Sequence, residues 1–136
     1  MSTLVKNFEK LSRPIIYDGL KSRTCSPSDV DAFMEFYNKY LILTEVKEEG
    51  KDITTGQKIC LTRIADAWNK ADKDKVGIVI VTHHPSTDSI IKLADTIISK
   101  VYIAGKWKDM SKKNINYKDF LQLFAEKYNI SHLKFN

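Results

Sequence analysis

A continuous run of apolar residues near the middle of the chain is the feature that most constrains its fold. The run is Val76–Val81, and apart from one glycine it contains only valine and isoleucine. Such a run is typical of a strand that is covered on both faces of a sheet. A helix is predicted before it from Thr54, with a core face of Leu61, Ile64, Ala65, Trp68 and Ala71. A strand–helix–strand unit over Glu45–Val81 predicts parallel pairing with a right-handed crossover.

The segment before that unit has the pattern of a β-hairpin. The two strands and the turn between them are predicted as Ala32–Phe36, Tyr40–Val46 and Tyr37-Asn38-Lys39. If Phe36 pairs with Tyr40, Asp31 lies directly opposite Glu45 and shares its face. A two-residue turn would instead pair Asp31 with Val46 and move it to the other face, because a slip of one residue reverses every side chain. The register of the hairpin therefore decides whether the two carboxylates can meet.

Acidic and basic side chains are expected on one face of this hairpin. Lys47 lies two residues beyond Glu45 and projects from the same face. Carboxylate oxygens suit Mg²⁺, which keeps several waters and needs only one or two such ligands. A bound metal lowers the pKa of a water, and a nearby lysine stabilises the charge that builds on phosphate. Asp31, Glu45 and Lys47 together indicate metal-dependent attack on a phosphate ester.

Each of these residues also has an ordinary structural explanation. Glu45 and Lys47 could form a surface charge pair worth about a few tenths of a kcal/mol, and Asp31 could end a turn. The sequence Thr54-Thr55-Gly56-Gln57 fits a capping box, with Thr54 as the N-cap and Gln57 reaching back to it. The joint placement of the residues, rather than any single one, favours a functional site.

The chain resembles the PD-(D/E)XK nuclease superfamily, which includes restriction-type endonucleases, Holliday-junction resolvases and many small phage nucleases. The resemblance rests on the order of Ser28-Asp29-Val30-Asp31, the hairpin, Glu45-Val46-Lys47 and Gln57, and it covers roughly Ser26–His84. It implies an α/β domain with a restriction-endonuclease-like mixed β-sheet flanked by helices. The motif is short and degenerate, so its specificity comes from the order of the elements around it.

The resemblance also implies a role for each site residue. Asp31 and Glu45 would bind Mg²⁺, or Mn²⁺, with the Val46 carbonyl as a third oxygen. Lys47 would be the catalytic lysine, and Gln57 would match a polar helix residue found in several branches. The first motif is loose in this chain, so Asp29 competes with Asp31 for the ligand role.

The basic residues suggest a route for nucleic acid. The net charge is +5, with 22 Lys and Arg against 17 Asp and Glu. Lys106 and Lys108 flank Trp107, so this segment could follow a phosphate backbone while the indole stacks on a base. Lys58 lies off the predicted core face of its helix and could contact phosphate. The alternative for this segment is a solvated surface hairpin with a packed tryptophan.

The remaining segments are expected to be scaffold. The predicted elements are a helix at Leu4–Leu11, a strand at Asp95–Ile103 that turns at Ala104-Gly105, and a last helix capped by Asn116. Its apolar stripe is Phe120, Leu121, Phe124, Ala125 and Tyr128, part of which could serve a homodimer. His83 and His84 follow the apolar strand, before Pro85, and are not expected to bind one metal, because adjacent side chains at a strand point to opposite faces.

Length and composition fit a single domain over residues 1–136. No stretch approaches the length of a membrane span, and two cysteines without metal spacing suggest reduced thiols in a cytoplasmic protein. The favoured function is a metal-dependent endonuclease acting on DNA. The alternative is an inactive nuclease-like protein, phage-borne, that binds nucleic acid or inhibits a host defence or replication protein. A resolvase that requires a dimer is a third reading, and the sequence does not select the substrate or the oligomeric state.

Overall fold

The computed structural model describes residues 15–87 and 89–136. Within these ranges the chain forms five β-strands and two α-helices. The strands β1 to β5 are Ala32–Phe36, Tyr40–Glu48, Val76–His84, Ile97–Ile103 and Lys106–Asp109. The helices are α1, Thr55–Ala71, and α2, Tyr117–Lys127. The helix predicted at Leu4–Leu11 lies outside the described residues.

The strands form one sheet in the order β1-β2-β3-β4-β5, which is also their order along the chain. Strands β2 and β3 are parallel, and all other neighbours are antiparallel. The parallel pair is joined through α1, so the predicted strand–helix–strand unit is confirmed. The protein is therefore an α/β protein built on a mixed sheet.

The β1–β2 hairpin has the register that brings the two carboxylates together. Phe36 pairs with Tyr40, and Ala32 pairs with Thr44. Tyr37 and Asn38 both have positive φ, at 58° and 52°, and the Lys39 amide donates to the Phe36 carbonyl at 3.2 Å. The three-residue turn is therefore confirmed, and the alternative two-residue turn is wrong.

Helices α1 and α2 cover opposite faces of the sheet. The buried residues on the α1 face are Leu43, Ile53, Leu61, Ala65, Val79, Val81 and Tyr102. The α2 face buries a second cluster that includes Ile42, Ile78, Ile80, Ile98, Leu121 and Phe124. Strand β3 thus supplies side chains to both clusters, which explains its continuous apolar sequence.

The buried stripe of α1 is narrower than its sequence predicted. Leu61 and Ala65 are buried, whereas Ile64 is 40% exposed and Ala71 is also exposed. At 100° per residue, Ile64 and Ala71 lie about 60° and about 80° around the helix from Leu61. Both therefore fall beside the contact with the sheet, and their assignment to the core was wrong.

Strand β4 begins later than predicted. Leu93–Asp95 forms a single 3₁₀ turn, and the strand starts at Ile97. The last helix is confirmed, because the Asn116 side chain accepts the amide of Asp119 at 2.8 Å as its N-cap.

In the described ranges, no helix is both long and apolar enough to cross a membrane.

Candidate functional site

Asp31 and Glu45 lie together where the hairpin ladder ends. Asp31 immediately precedes β1, and the register continues to it opposite Glu45 in β2. Its Oδ2 accepts a hydrogen bond from the Val46 amide at 2.8 Å, so the side chain extends the ladder by one bond. Asp29 lies two residues earlier and is exposed. The structure thus places Asp31 rather than Asp29 at the position opposite Glu45.

Glu45 is a buried carboxyl group that is only partly satisfied. The residue is 1% exposed, and its Oε1 has no hydrogen-bond partner among the described residues. Burial, together with the negative charge of Asp31, raises the pKa of Glu45 to about 7, although the positive charge of Lys47 opposes the shift. An unpaired buried carboxylate is costly, so a bound cation would relieve both the desolvation and the repulsion.

Gln57 connects the lysine to the buried carboxyl. The Lys47 ammonium donates to Gln57 Oε1 at 2.8 Å, and Gln57 Nε2 donates to Glu45 Oε2 at 3.3 Å. In the described part of the chain, Lys47 and Glu45 form no direct ion pair. The ordinary surface charge pair is therefore not what this structure contains.

The helix cap and the site use the same glutamine. The amide of Thr54 donates to Gln57 Oε1 at 3.2 Å, and Thr54 Oγ1 accepts the Gln57 amide at 3.2 Å, which completes the capping box. Because Oε1 accepts both the Thr54 amide and the Lys47 ammonium, Nε2 must face Glu45. The start of α1 therefore fixes the orientation of Gln57 within the site.

The donor set fits a hard divalent cation. Residues 15–87 and 89–136 hold no cluster of three or more His, Cys, Asp and Glu side chains suited to a metal. Asp31 and Glu45 provide two carboxylates, which suffices for Mg²⁺. In a strand, the N–H and C=O of one residue face the same neighbour, so the Val46 carbonyl is directed to the side on which its amide meets Asp31. The two carboxylates and this carbonyl are the oxygens that a cation could use here.

The two histidines at the end of β3 are engaged by backbone carbonyl groups. His83 Nε2 lies 2.7 Å from the Lys51 carbonyl oxygen, and His84 Nδ1 lies 2.8 Å from that of Pro85. The first contact holds the segment after β2 across the end of β3. Neither contact brings the two imidazoles onto one metal.

Trp107 lies on the α1 face of the sheet, with two lysines over its ring. The ammonium groups of Lys58 and Lys100 each lie 5.3 Å from the ring centroid. Trp107 also packs against Tyr102, with 5.3 Å between the ring centroids. Since side chains alternate along a strand, Lys106 and Lys108 extend from the opposite face of β5. Trp107 and its two neighbours in sequence therefore do not form a single flat surface.

Lys100 is a basic residue that the sequence analysis missed. The register between β3 and β4 shifts at a bulge in β4, where Ser99 is the extra residue, so that Ile98 lies opposite Thr82 but Lys100 lies opposite Val81. Strict alternation would put Lys100 on the α2 face with Ile98, whereas the bulge turns it to the α1 face. The charge of Lys100 was visible in the sequence, but its side of the sheet was not.

The chain matches no family model, and no curated protein or solved structure gives a match. The interpretation of the site rests on its own geometry.

Proposed function

We propose that the protein is a metal-dependent endonuclease that hydrolyses phosphodiester bonds in DNA. The observation that supports this proposal is the convergence of Asp31, Glu45, Lys47 and Gln57, which the sequence places on three different elements. The order of hairpin, helix and parallel strand is also the order on which the resemblance to PD-(D/E)XK nucleases depends. A restriction-endonuclease-like fold is part of the same proposal.

The metal would be held by Asp31, Glu45 and the Val46 carbonyl. When bound, Mg²⁺ or Mn²⁺ would polarise the phosphate and lower the pKa of a water. Glu45 must be ionised to act as a ligand, because a protonated carboxyl group binds metal poorly. The buried position that makes Glu45 a poor anion alone makes it a strong partner for a cation.

Lys47 would act on the phosphate and on the attacking water. An ammonium group has three donors, and Gln57 accepts one of them. The others can donate to a non-bridging phosphate oxygen, where charge grows in the transition state, or to the water. Gln57 is a positioning residue, because it holds the ammonium group on one side and Glu45 on the other.

The direct test is cleavage of labelled DNA with Mg²⁺ or Mn²⁺. We expect Lys47→Ala, and the double variant Asp31→Asn, Glu45→Gln, to lower the rate by about 10²–10³-fold or more, as loss of a transition-state contact does. The matched controls are Glu35→Gln and Lys70→Ala, because both residues are exposed and lie outside the site. Unchanged cleavage in the site variants would place the chemistry elsewhere in the chain.

Gln57→Glu separates the cap from the site. Glutamate serves a capping box as well as glutamine does, so α1 should keep its stability. The substitution removes the amide that donates to Glu45 and adds a second negative charge beside it. We expect a slower reaction with an unchanged unfolding midpoint. If the reaction rate and the unfolding midpoint both fell together, Gln57 would contribute only to the helix.

A binding or inhibitory protein is the second candidate function. Phe33 and Tyr37 are 68% and 67% exposed on and beside β1, the strand at one end of the described sheet. Exposed aromatic side chains on an edge strand favour contact with a protein, either a target or a second copy of the chain. Calorimetric titration with Mg²⁺ separates the candidates. Metal binding that the double variant loses supports the nuclease, and no binding supports the inactive protein.

A further inference from the structure

We propose that a basic groove beside the candidate site binds the phosphate backbone of single-stranded nucleic acid and leads it to Lys47. This inference rests on the proposed function and names its substrate class. The groove has a volume of about 560 Å³ and lies on the α1 face, between the segment after β2 and the edge strand β5. Its lining includes Lys51, Asp52, His83, Lys100 and Trp107. These residues are called the basic groove below.

The lysines of the basic groove are paired in a way that a phosphate can replace. The Lys100 ammonium lies 2.9 Å from Asp52 Oδ1, and the Lys51 ammonium lies 3.1 Å from a carboxylate oxygen of Glu48. The Lys51–Glu48 pair is substantially exposed, and exposed ion pairs are weak. A phosphodiester oxygen can therefore compete for either ammonium group without leaving a buried charge unpaired.

The floor of the basic groove is aromatic. Trp107 is half-buried, and Lys58 reaches its ring from α1 while Lys100 reaches it from β4. Proteins that bind single strands combine a positive groove that follows the backbone with an aromatic side chain that supports a base. One wall of this groove is a single loop and the other is a four-residue edge strand, so the groove suits one strand of nucleic acid.

The basic groove lies beside the candidate site. His83 lines the groove and pairs with Lys47 across the parallel β2–β3 ladder. Neighbouring strands are about 4.8 Å apart, so the groove ends one strand away from the catalytic lysine. The carbonyl of Lys51 contacts His83 at 2.7 Å and fixes the loop that separates the two sites. A single strand of nucleic acid that leaves the groove across this loop therefore reaches Lys47.

The test is binding of a labelled oligothymidylate to the full chain in EDTA, measured by anisotropy over a series of salt concentrations. We expect Lys100→Ala to weaken binding by about tenfold, as loss of one charge-assisted contact does. The slope of log K against log salt should fall by about 0.7, the value for one phosphate of a single strand. Lys51→Ala provides a second variant on an exposed side chain of the groove, and thermal unfolding confirms that both variants fold.

Two further variants give the test its controls. Lys106→Ala removes one positive charge from β5, the strand that carries Trp107, but on the opposite face of the sheet, and should leave affinity and salt slope unchanged. Asp52→Asn removes the carboxylate that pairs with Lys100 and should tighten binding. Quenching of tryptophan fluorescence by the oligonucleotide should disappear in Trp107→Phe. Equal losses in Lys106→Ala and Lys100→Ala would show a general charge effect and overturn the groove.

The choice of ligand separates the remaining outcomes. Oligothymidylate and oligouridylate should bind alike if the backbone is the ligand, whereas duplex DNA should bind more weakly. Tighter binding of the duplex, or equal competition by polyglutamate, would overturn the inference. The experiment contains no metal, so it is independent of cleavage. If the basic groove does not bind the oligonucleotide but metal-dependent cleavage is intact, this inference alone is refuted. If the groove binds the oligonucleotide but there is no metal-dependent cleavage, the proposed function alone is refuted.

Discussion

At the scale of single residues, the proposed chemistry depends most on Glu45. It is a carboxyl group on a strand that otherwise supplies the core, and its Oε1 finds no partner among the described residues. The presence of a half-satisfied acid is therefore a cost to folding, and a cation at Asp31 and Glu45 would offset it.

Glu45 should make the metal-free protein less stable as the pH rises. In the unfolded chain the Glu45 carboxyl group has a pKa near 4.5, whereas its pKa in the native state is about 7. The native state therefore binds more protons than the unfolded state between these two pH values. The free energy of unfolding should then fall across this window by up to about 3 kcal/mol, while the contribution is fully present below it. Urea unfolding in EDTA at a series of pH values measures this fall.

The Glu45→Gln variant is the comparison for that experiment. It carries no titrating group at this position, so its profile should lack the fall between about 4.5 and about 7 that Glu45 produces. Glu35→Gln changes an exposed carboxyl group and should follow the unmodified protein. Parallel profiles for all three proteins would show that Glu45 is not buried as an acid.

At the scale of secondary structure elements, α1 and β3 approach each other closely at Gly77. A Cβ added at Gly77 would lie 3.1 Å from the Ala65 carbonyl oxygen and 3.2 Å from the Trp68 ring. Asn69 holds the same glycine from the helix, with its Oδ1 accepting the Gly77 amide at 2.7 Å. This clamp sets the distance between helix and sheet, and α1 carries Gln57 at its other end.

Gly77→Ala should therefore destabilise the protein by about 1–3 kcal/mol, as overpacking does. The matched control is Gly56→Ala, because a Cβ there meets nothing within 4 Å and the residue lies in the first turn of α1. Removing a helical glycine should stabilise the protein by up to about 1 kcal/mol. Denaturant unfolding of both variants measures the two changes in the free energy of unfolding, which should have opposite signs. Equal changes would contradict a close approach at Gly77.

The elements that the sequence predicted correctly are those specified by local signals. Neighbouring residues determine the hairpin turn, the caps of both helices and the apolar run of β3. The hairpin turn in turn determines that Asp31 lies opposite Glu45. The later start of β4 and the exposure of Ile64 depend on how the elements pack. The face of Lys100 depends on a bulge against β3, which no alternation of residues reveals. Sequence analysis therefore found the candidate site but only part of its surroundings.

At the scale of the whole molecule, the site exists only when the chain is folded. Asp31 and Glu45 are held together by the hairpin, and Gln57 reaches them only because α1 begins beside β2. An unfolded chain would offer separate carboxyl groups with little affinity for Mg²⁺. A ligand that binds only the native state stabilises it in proportion to the logarithm of its concentration. Metal binding should consequently raise the free energy of unfolding, even without a substrate.

We expect Mg²⁺ at about 100 times its dissociation constant to raise the free energy of unfolding by about 2.7 kcal/mol. Urea unfolding at pH 8 with Mg²⁺ and with EDTA measures this increase, and the double variant Asp31→Asn, Glu45→Gln should lose it. A monovalent salt at matched ionic strength is the control, because a chain with a net charge of +5 also responds to screening. Equal stabilisation of the double variant would mean that the metal binds elsewhere, since the two substitutions remove both charged ligands and leave the hairpin turn untouched.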